Sequence, residues 1–168
     1  MRHLARVHSA SEHGRSERGE LTRFCTHCAE LIDAPGGRAA TPARGRVCGS
    51  CGLGVILTCA SATLSEPGAA FLVVTADLRV SAASRQAEAL LAIPDGSYGR
   101  PLLSVLTSPA GLGEFARTVM RAANGSLAPS TIPVEAASSK VDLGSLEARV
   151  GGCGNPAAAL IVVVSSSA

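Results

Sequence analysis

Two short stretches, Cys25-Thr-His-Cys28 and Cys48-Gly-Ser-Cys51, hold four of the six cysteines of this 168-residue chain. Together they form the pattern C-x2-C-x19-C-x2-C, a spacing typical of a zinc site with four thiolate ligands. Two cysteines on one tight turn direct both sulfur atoms at one ion, and Gly49 and Gly52 suit such a turn. Four thiolates fill the tetrahedron that zinc prefers and leave no position for a substrate. The pattern therefore predicts a structural zinc site with the ligands Cys25, Cys28, Cys48 and Cys51.

Two disulfides or four unrelated thiols are the alternatives to this zinc site. An intracellular location disfavours disulfides, and two separate C-x2-C pairs are improbable by chance. His27 lies inside the first pair and is a possible substitute ligand, but with four thiolates at hand we expect it to be exposed. The chain between the pairs is too short to fold alone, so metal coordination, worth about 10–16 kcal/mol in small metal-folded peptides, would stabilise it.

The segment Gly45-Arg-Val-Cys-Gly-Ser-Cys-Gly-Leu-Gly-Val-Ile-Leu57 resembles a treble-clef zinc finger, in which the second cysteine pair opens a helix. Residues 53–64 fit that helix, because five apolar residues fall on one helical face: Leu53, Ile56, Leu57, Ala60 and Leu64. A zinc ribbon, with a strand here instead, is the competing form, and the β-branched Val55 and Ile56 favour it. We expect a zinc module over residues 21–64 that ends in a connecting helix, after a disordered tail over residues 1–20.

Ser65-Glu-Pro-Gly68, with adjacent proline and glycine, predicts a break in secondary structure, and the sequence pattern changes after it. Apolar periodicity and capping signals, among them Ser84 at the start of one helix and Asn124-Gly125 at the end of another, predict an α+β domain with an antiparallel sheet and helices on one face of it. The predicted elements are strands at 71–75 and 79–83, helices at 84–93, 99–106 and 110–123, and strands at 130–136, 145–150 and 157–165. The glycine-rich stretch over 151–156 is predicted to be a turn.

This order of elements over residues 67–166 resembles a PAS domain, and three segments carry the resemblance. They are Phe71-Leu-Val-Val-Thr-Ala-Asp77, Ser84-Arg-Gln-Ala-Glu-Ala-Leu-Leu91 and Gly99-Arg-Pro-Leu-Leu-Ser-Val-Leu106. Ser84 stands where the family commonly has asparagine, and Ala92 stands where it has glycine. The resemblance implies a PAS-like five-stranded antiparallel sheet with helices on one face, acting as a sensor or dimerisation domain.

The resemblance also bears on cofactors. Flavin-binding relatives carry a reactive cysteine beside the Gly-Arg segment, whereas residues 99–104 contain none. Haem-binding relatives use a histidine of the domain, and no histidine follows His27. We therefore expect neither flavin nor haem, and the interior to be a filled core or a pocket for a small apolar ligand.

Two cysteines lie outside the quartet. Cys59 falls in an apolar run and is expected to act as a small buried hydrophobe. Cys153, between Gly152 and Gly154, is expected to be exposed in a turn and open to oxidants.

Composition narrows the function. Aromatic residues make up only 2% and the net charge is +2, which gives little support for base stacking or polyanion binding. No apolar run approaches the ~20 residues that span a bilayer, and no secretory signal opens the chain, so we expect a cytoplasmic protein without a membrane partner. No catalytic arrangement is recognisable, and the chain is not expected to be an enzyme.

These observations indicate a non-catalytic signalling or regulatory protein, in which a structural zinc finger mediates protein interaction beside a PAS-like domain. Its expected partners are a second copy, joined through the apolar stripe of residues 53–64, and another signalling protein. The alternative is a transcriptional regulator that binds DNA through its arginine-rich N-terminal region. The arginines concerned are Arg2, Arg6, Arg15, Arg18, Arg23, Arg38, Arg44 and Arg46.

Overall fold

The computed structural model describes residues 20–32, 46–93, 96–126, 128–137, 145–154 and 157–165. The predicted tail over residues 1–20 lies outside these ranges except for Glu20. The strands are β1 (Leu21–Cys25), β2 (Leu31–Ile32), β3 (Ile56–Ala60), β4 (Ala70–Val74), β5 (Val80–Ala83), β6 (Leu106–Thr107), β7 (Ser130–Ala136), β8 (Leu146–Cys153) and β9 (Ala158–Ser165). The helices are α1 (Arg85–Leu90), α2 (Leu112–Ala123) and a 3-10 turn at Leu102–Ser104.

The strands pair antiparallel in a sheet with the order β2-β1-β3-β8-β9-β4-β5, and β7 lies beside β8 and also pairs with β6. The predicted strands at 71–75, 79–83, 130–136 and 157–165 are confirmed as β4, β5, β7 and β9. The helices predicted at 84–93 and 110–123 are confirmed as α1 and α2, whereas only the 3-10 turn and β6 occupy residues 102–107 of the helix predicted at 99–106. The chain thus forms a mostly antiparallel sheet with few helices.

The helices cover one face of this sheet. Leu72 and Val74 of β4 and Ile161 of β9 point to that face, and Phe115 and Val119 of α2 pack over them in one buried cluster. The apolar spacing of α2 places these side chains on a single helical stripe. Burial of that stripe holds the helix on the sheet.

The N-terminal strands cover the opposite face. Phe71 of β4 and Leu160 and Val162 of β9 pack there against Phe24 of β1 and Leu64 in a second buried cluster. Strands covered on both faces read as continuous apolar runs rather than as alternating ones, as in Phe71-Leu-Val-Val74. The N-terminal strands and the strands that follow them therefore share one sheet and one buried layer.

The helix predicted over residues 53–64 is wrong. Residues 56–60 form β3, which pairs antiparallel with β1 in a register that sets Leu57 opposite Phe24. The β-branched residues and the exposed backbone edge of β1 favour a strand here, as in the zinc-ribbon alternative. The apolar stripe consequently does not lie on one surface, because Leu53 is 72% exposed and Leu64 is 1% exposed.

The turn predicted over residues 151–156 is also wrong in its first half, since Gly151, Gly152 and Cys153 continue β8. Gly151 and Gly152 do not form a turn, and instead they let neighbouring segments of the chain lie close to β8. A Cβ on Gly151 would overlap Thr63 on one face, and a Cβ on Gly152 would lie 2.8 Å from the carbonyl oxygen of Ser126 on the other. Cys153 is buried, at 4% exposure, and not exposed as its sequence context predicts.

Gly152→Ala is expected to lower the free energy of unfolding by about 2–3 kcal/mol, because the new methyl group meets backbone atoms of Ala122 and Ser126 that cannot rotate away. Gly113→Ala is the matched control, since its Cβ would meet only the Arg117 side chain at 3.7 Å. Urea unfolding of both variants measures the difference. Equal midpoints for the two variants would contradict the close packing of β8 on α2.

A search of the described residues for a helix long and apolar enough to cross a membrane found none.

Candidate metal centre

Two turns of the same shape carry the four cysteines. We call residues 25–30 the first knuckle and residues 48–54 the second knuckle. In each, the fifth residue donates its amide to the carbonyl oxygen of the first, at 3.2 Å from Ala29 to Cys25 and 2.9 Å from Gly52 to Cys48. Ala29 (φ 57°) and Gly52 (φ 68°) both have left-handed backbone conformations, which reverse the chain immediately after the second cysteine of each pair.

The first knuckle is hydrogen-bonded to Val55, the residue that directly follows the second knuckle. The amide of Thr26 donates to the carbonyl oxygen of Val55 at 3.0 Å, and the amide of Val55 donates to Thr26 Oγ1 at 2.9 Å. An isolated bridge between Val47 and Val55 closes the second knuckle. These bonds fix the distance between the two cysteine pairs.

The structure brings the four predicted cysteine ligands together. Their Sγ atoms all lie within 4.8 Å of one another, with Cys25 to Cys51 at 3.6 Å and Cys28 to Cys48 at 3.9 Å. A zinc ion bonded to sulfur at about 2.3 Å in a tetrahedron separates the sulfur atoms by about 3.8 Å. The cluster therefore has the donor atoms and spacing to hold a metal ion.

Hydrogen bonds from backbone amides and burial shift the pKa values of these thiols in opposite directions. Burial raises the pKa of Cys25 to about 12 and also raises the pKa of Cys28. Hydrogen bonds from the amides of Gly54 and Leu53 lower the pKa of Cys51 to about 6. Since a metal ion binds thiolates, a cation at the cluster would offset the cost of ionising the buried thiols.

Two polar residues, His27 and Glu30, lie next to the cysteine cluster. His27 is half-buried rather than exposed, and its Nδ1 atom is buried with no hydrogen-bond partner among the residues that the structure describes. Its amide donates to Cys25 Sγ at 3.4 Å, so His27 contributes backbone rather than side chain to the sulfur environment. Glu30 Oε2 lies 3.9 Å from Cys48 Sγ.

Gly54 is a residue of this site that the sequence reasoning missed. A Cβ there would overlap Cys25 Sγ and lie 2.9 Å from the amide nitrogen of His27, and the Gly54 amide donates to Cys51 Sγ at 3.4 Å. A Cβ on Gly49, which the sequence singled out, would instead have no atom within 4 Å of it. The only signal in the sequence is the second glycine of Gly52-Leu-Gly54.

The first knuckle is bonded to the domain that follows it. The carbonyl oxygen of His27 accepts from the amide of Arg85, the first residue of α1, at 3.3 Å, and that of Ala29 accepts from the amide of Gly68 at 3.1 Å. The rings of Phe24 and Phe71 meet edge to face, with centroids 5.2 Å apart. The cysteine cluster is thus joined to the start of α1 and to β4.

Ser84 organises the same junction from the other side. Its hydroxyl accepts from the amide of Ala87 at 3.2 Å as the N-cap of α1 and from the amide of Phe71 at 3.0 Å, and it donates to the carbonyl oxygen of Ala69 at 2.9 Å. This capping role was predicted from the sequence. Ser84 therefore joins the start of α1 to the start of β4.

Comparison of the chain with protein-family models, with curated proteins and with solved structures found no match. The chemistry of the site is inferred from its own donor atoms. A metal ion held by four thiolates has no open position for a substrate, so the cluster fits a structural ion better than a catalytic one.

Proposed function

We propose that the cluster binds one structural Zn²⁺ and that the chain is a non-catalytic regulatory protein, in which this site supports a PAS-like sensing or dimerisation domain. The observation that carries the proposal is the pair of backbone hydrogen bonds from the first knuckle to Arg85 and Gly68. They connect the first knuckle, through the carbonyl oxygens of His27 and Ala29, to the first residue of α1 and to the segment just before β4.

The choice of zinc rests on the donor set. Four thiolates with sulfur separations of 3.6 and 3.9 Å match a tetrahedral ion of zinc's size, and soft sulfur ligands disfavour magnesium or calcium. We propose the reducing cytoplasm as the location, where cysteine thiols stay available as metal ligands.

The PAS-like assignment rests on the order and packing of elements over residues 70–165. Two strands, α1, the 3-10 turn, the two-residue strand β6, α2 and three strands follow one another, and apart from β6 this is the order that the resemblance implies. Five of these strands lie side by side as β5-β4-β9-β8-β7, with the helices packed on one face. Phe24 of the N-terminal strand β1 packs on the other face.

Acidification tests the metal proposal. Protons compete with the ion for the four thiolates, so the metal-bound state holds fewer protons than the free state and the affinity falls as the pH falls. We expect zinc to be released cooperatively on acidification, with uptake of protons. A chromogenic chelator in buffers from pH 8 to pH 4 measures the release. Retention of zinc at the acid end would contradict thiolate coordination.

Hydrogen exchange tests the coupling between the metal and the domain. Removal of zinc by a chelator is expected to increase amide exchange in β4 and the first turn of α1 as well as in the two knuckles. The amides of Gly68 and Arg85 report it most directly, because they donate to the first knuckle. If amide exchange increased only in residues 20–32 and 46–60, the metal would have no influence on the domain that follows, and the proposed coupling would be contradicted.

The surface of the second knuckle favours a protein partner. Leu53, Val47 and Val55 are 72%, 54% and 43% exposed, and Arg46 is an exposed cation beside them. A two-fold dimer interface brings the same patch of both copies together, and these apolar side chains would be removed from water there. We therefore propose self-association through this surface instead of through a helix of residues 53–64.

Sedimentation equilibrium tests self-association. The zinc-loaded chain is expected to be a dimer, and Leu53→Asp is expected to be a monomer that retains zinc. Leu112→Asp, at a 49% exposed position on α2, is the matched control and should stay dimeric. A monomeric wild-type chain would contradict the proposed dimer.

The DNA-binding alternative has a separate test. Tight, salt-sensitive binding of the chain to random duplex DNA would favour it.

A further inference from the structure

A pair of buried cysteines lies where the zinc-bearing strands join the domain's sheet. β3 and β8 pair at Cys59 and Cys153, which face each other directly. The amide of Gly154 donates to the carbonyl oxygen of Thr58 at 2.9 Å. A bond between these flanking residues identifies Cys59 and Cys153 as a non-hydrogen-bonded antiparallel pair, in which opposed Cα atoms are about 4.5 Å apart.

Both side chains point to the same side of the sheet. Cys59 (0% exposed) and Cys153 (4% exposed) belong to the same buried cluster, between β1 and β9. Directly opposed residues of an antiparallel pair share a face. Disulfides join residues with Cα atoms about 4.4–6.8 Å apart, so this pair has the backbone separation that a bond between them requires.

We propose that Cys59 and Cys153 form a reversible disulfide that locks β3, the partner strand of β1, onto the central strand β8, with a low-molecular-weight disulfide such as oxidised glutathione as the oxidant. The inference concerns cysteines outside the metal cluster and does not depend on the identity of the metal.

The exchange balances in two steps. The thiolate of one cysteine attacks a sulfur atom of oxidised glutathione, which breaks the glutathione disulfide, releases one glutathione thiolate and leaves a mixed disulfide. The thiolate of the second cysteine attacks the protein sulfur of the mixed disulfide, forms the Sγ–Sγ bond and releases the second glutathione. Two protein thiols are thus oxidised, their two protons pass to the medium or to the released thiolates, and one glutathione disulfide is reduced to two thiols.

Burial makes this pair respond to opening of the junction. Burial raises the pKa of each thiol to about 12, so little thiolate is available while β3 lies against β8. Within the described part of the chain, this one register pair joins the two strands, and separation of β3 exposes both sulfur atoms. Oxidation therefore occurs in chains in which β3 has separated from β8. Once the two strands pair again, the Cys59–Cys153 bond keeps them paired.

Peptide mapping of the full, zinc-loaded chain tests the proposal. The chain is equilibrated with oxidised and reduced glutathione at urea concentrations from zero to the unfolding transition, so that burial does not prevent reaction, and is returned to buffer before alkylation. We expect a Cys59–Cys153 linked peptide, four remaining thiols after metal removal and full retention of zinc. Six thiols at every urea concentration, or disulfides within the metal cluster together with zinc loss, would overturn the proposal.

Stability measurements provide a second readout. The oxidised chain is expected to unfold at a higher urea concentration than the reduced chain, because the bond constrains the unfolded state. Cys153→Ala should show no such oxidant-dependent shift while it retains zinc. An equal shift in Cys153→Ala would overturn the assignment to this pair, and the wild-type peptide map decides the question even if the variant does not fold.

Discussion

Gly54→Ala is expected to weaken zinc binding by about 10- to 100-fold, the range found when residues that support metal ligands are changed. The new methyl group would overlap Cys25 Sγ and press on the backbone of His27, whose amide bonds that sulfur atom. Relief requires the second knuckle to move away from the first, and this separates Cys51 from Cys25. Competition for zinc with a chromogenic chelator measures the affinity.

Gly49→Ala is the matched control for that variant. It lies in the same knuckle, between two ligands, but its Cβ would have no atom within 4 Å, so we expect wild-type affinity. Equal losses in the two variants would show that the knuckle tolerates no side chain for reasons other than contact with sulfur. Wild-type affinity in Gly54→Ala would contradict the close approach of the knuckles.

Phe24→Ala is expected to lower the free energy of unfolding of the zinc-loaded chain by about 3–5 kcal/mol. Phe24 is fully buried and its ring meets Phe71 of β4 edge to face, so truncation leaves a cavity between the N-terminal strands and the sheet. Urea unfolding, followed by far-ultraviolet circular dichroism, measures the loss.

Leu21→Ala serves as the control, because Leu21 lies on the same strand and is 58% exposed. Its expected effect is within about 0.5 kcal/mol. If both variants unfold like the wild type, the N-terminal strands do not pack on the sheet. If Phe24→Ala alone is destabilised, the aromatic contact holds the metal module to the domain.

The elements that sequence reasoning predicted well are those with a strong local signal. The spacing of Phe115 and Val119, followed by Asn124-Gly125, sets the length of α2, and Ser84 caps α1 as expected. The two C-x2-C pairs are likewise a local signal, because the sulfur atoms of two cysteines at that spacing converge whenever a turn joins them. The clustering of the four cysteines was therefore predictable without knowledge of the fold.

Features set by tertiary contacts were not predictable in this way. The apolar residues over 53–64 fit a helical face as well as a strand, and pairing with β1 decides between the two. Gly151 and Gly152 read as a turn, whereas contacts with Thr63 and with the end of α2 require glycine in a strand. The same holds for Gly54 and for the facing of Cys59 and Cys153, since each depends on a partner distant in sequence.

Native mass spectrometry of the full chain, purified under reducing conditions without added metal, tests the central claim most directly. The account predicts one zinc ion per chain, bound through Cys25, Cys28, Cys48 and Cys51 and lost together with the N-terminal structure on chelation. A metal-free chain whose circular dichroism is unchanged by chelators would contradict it.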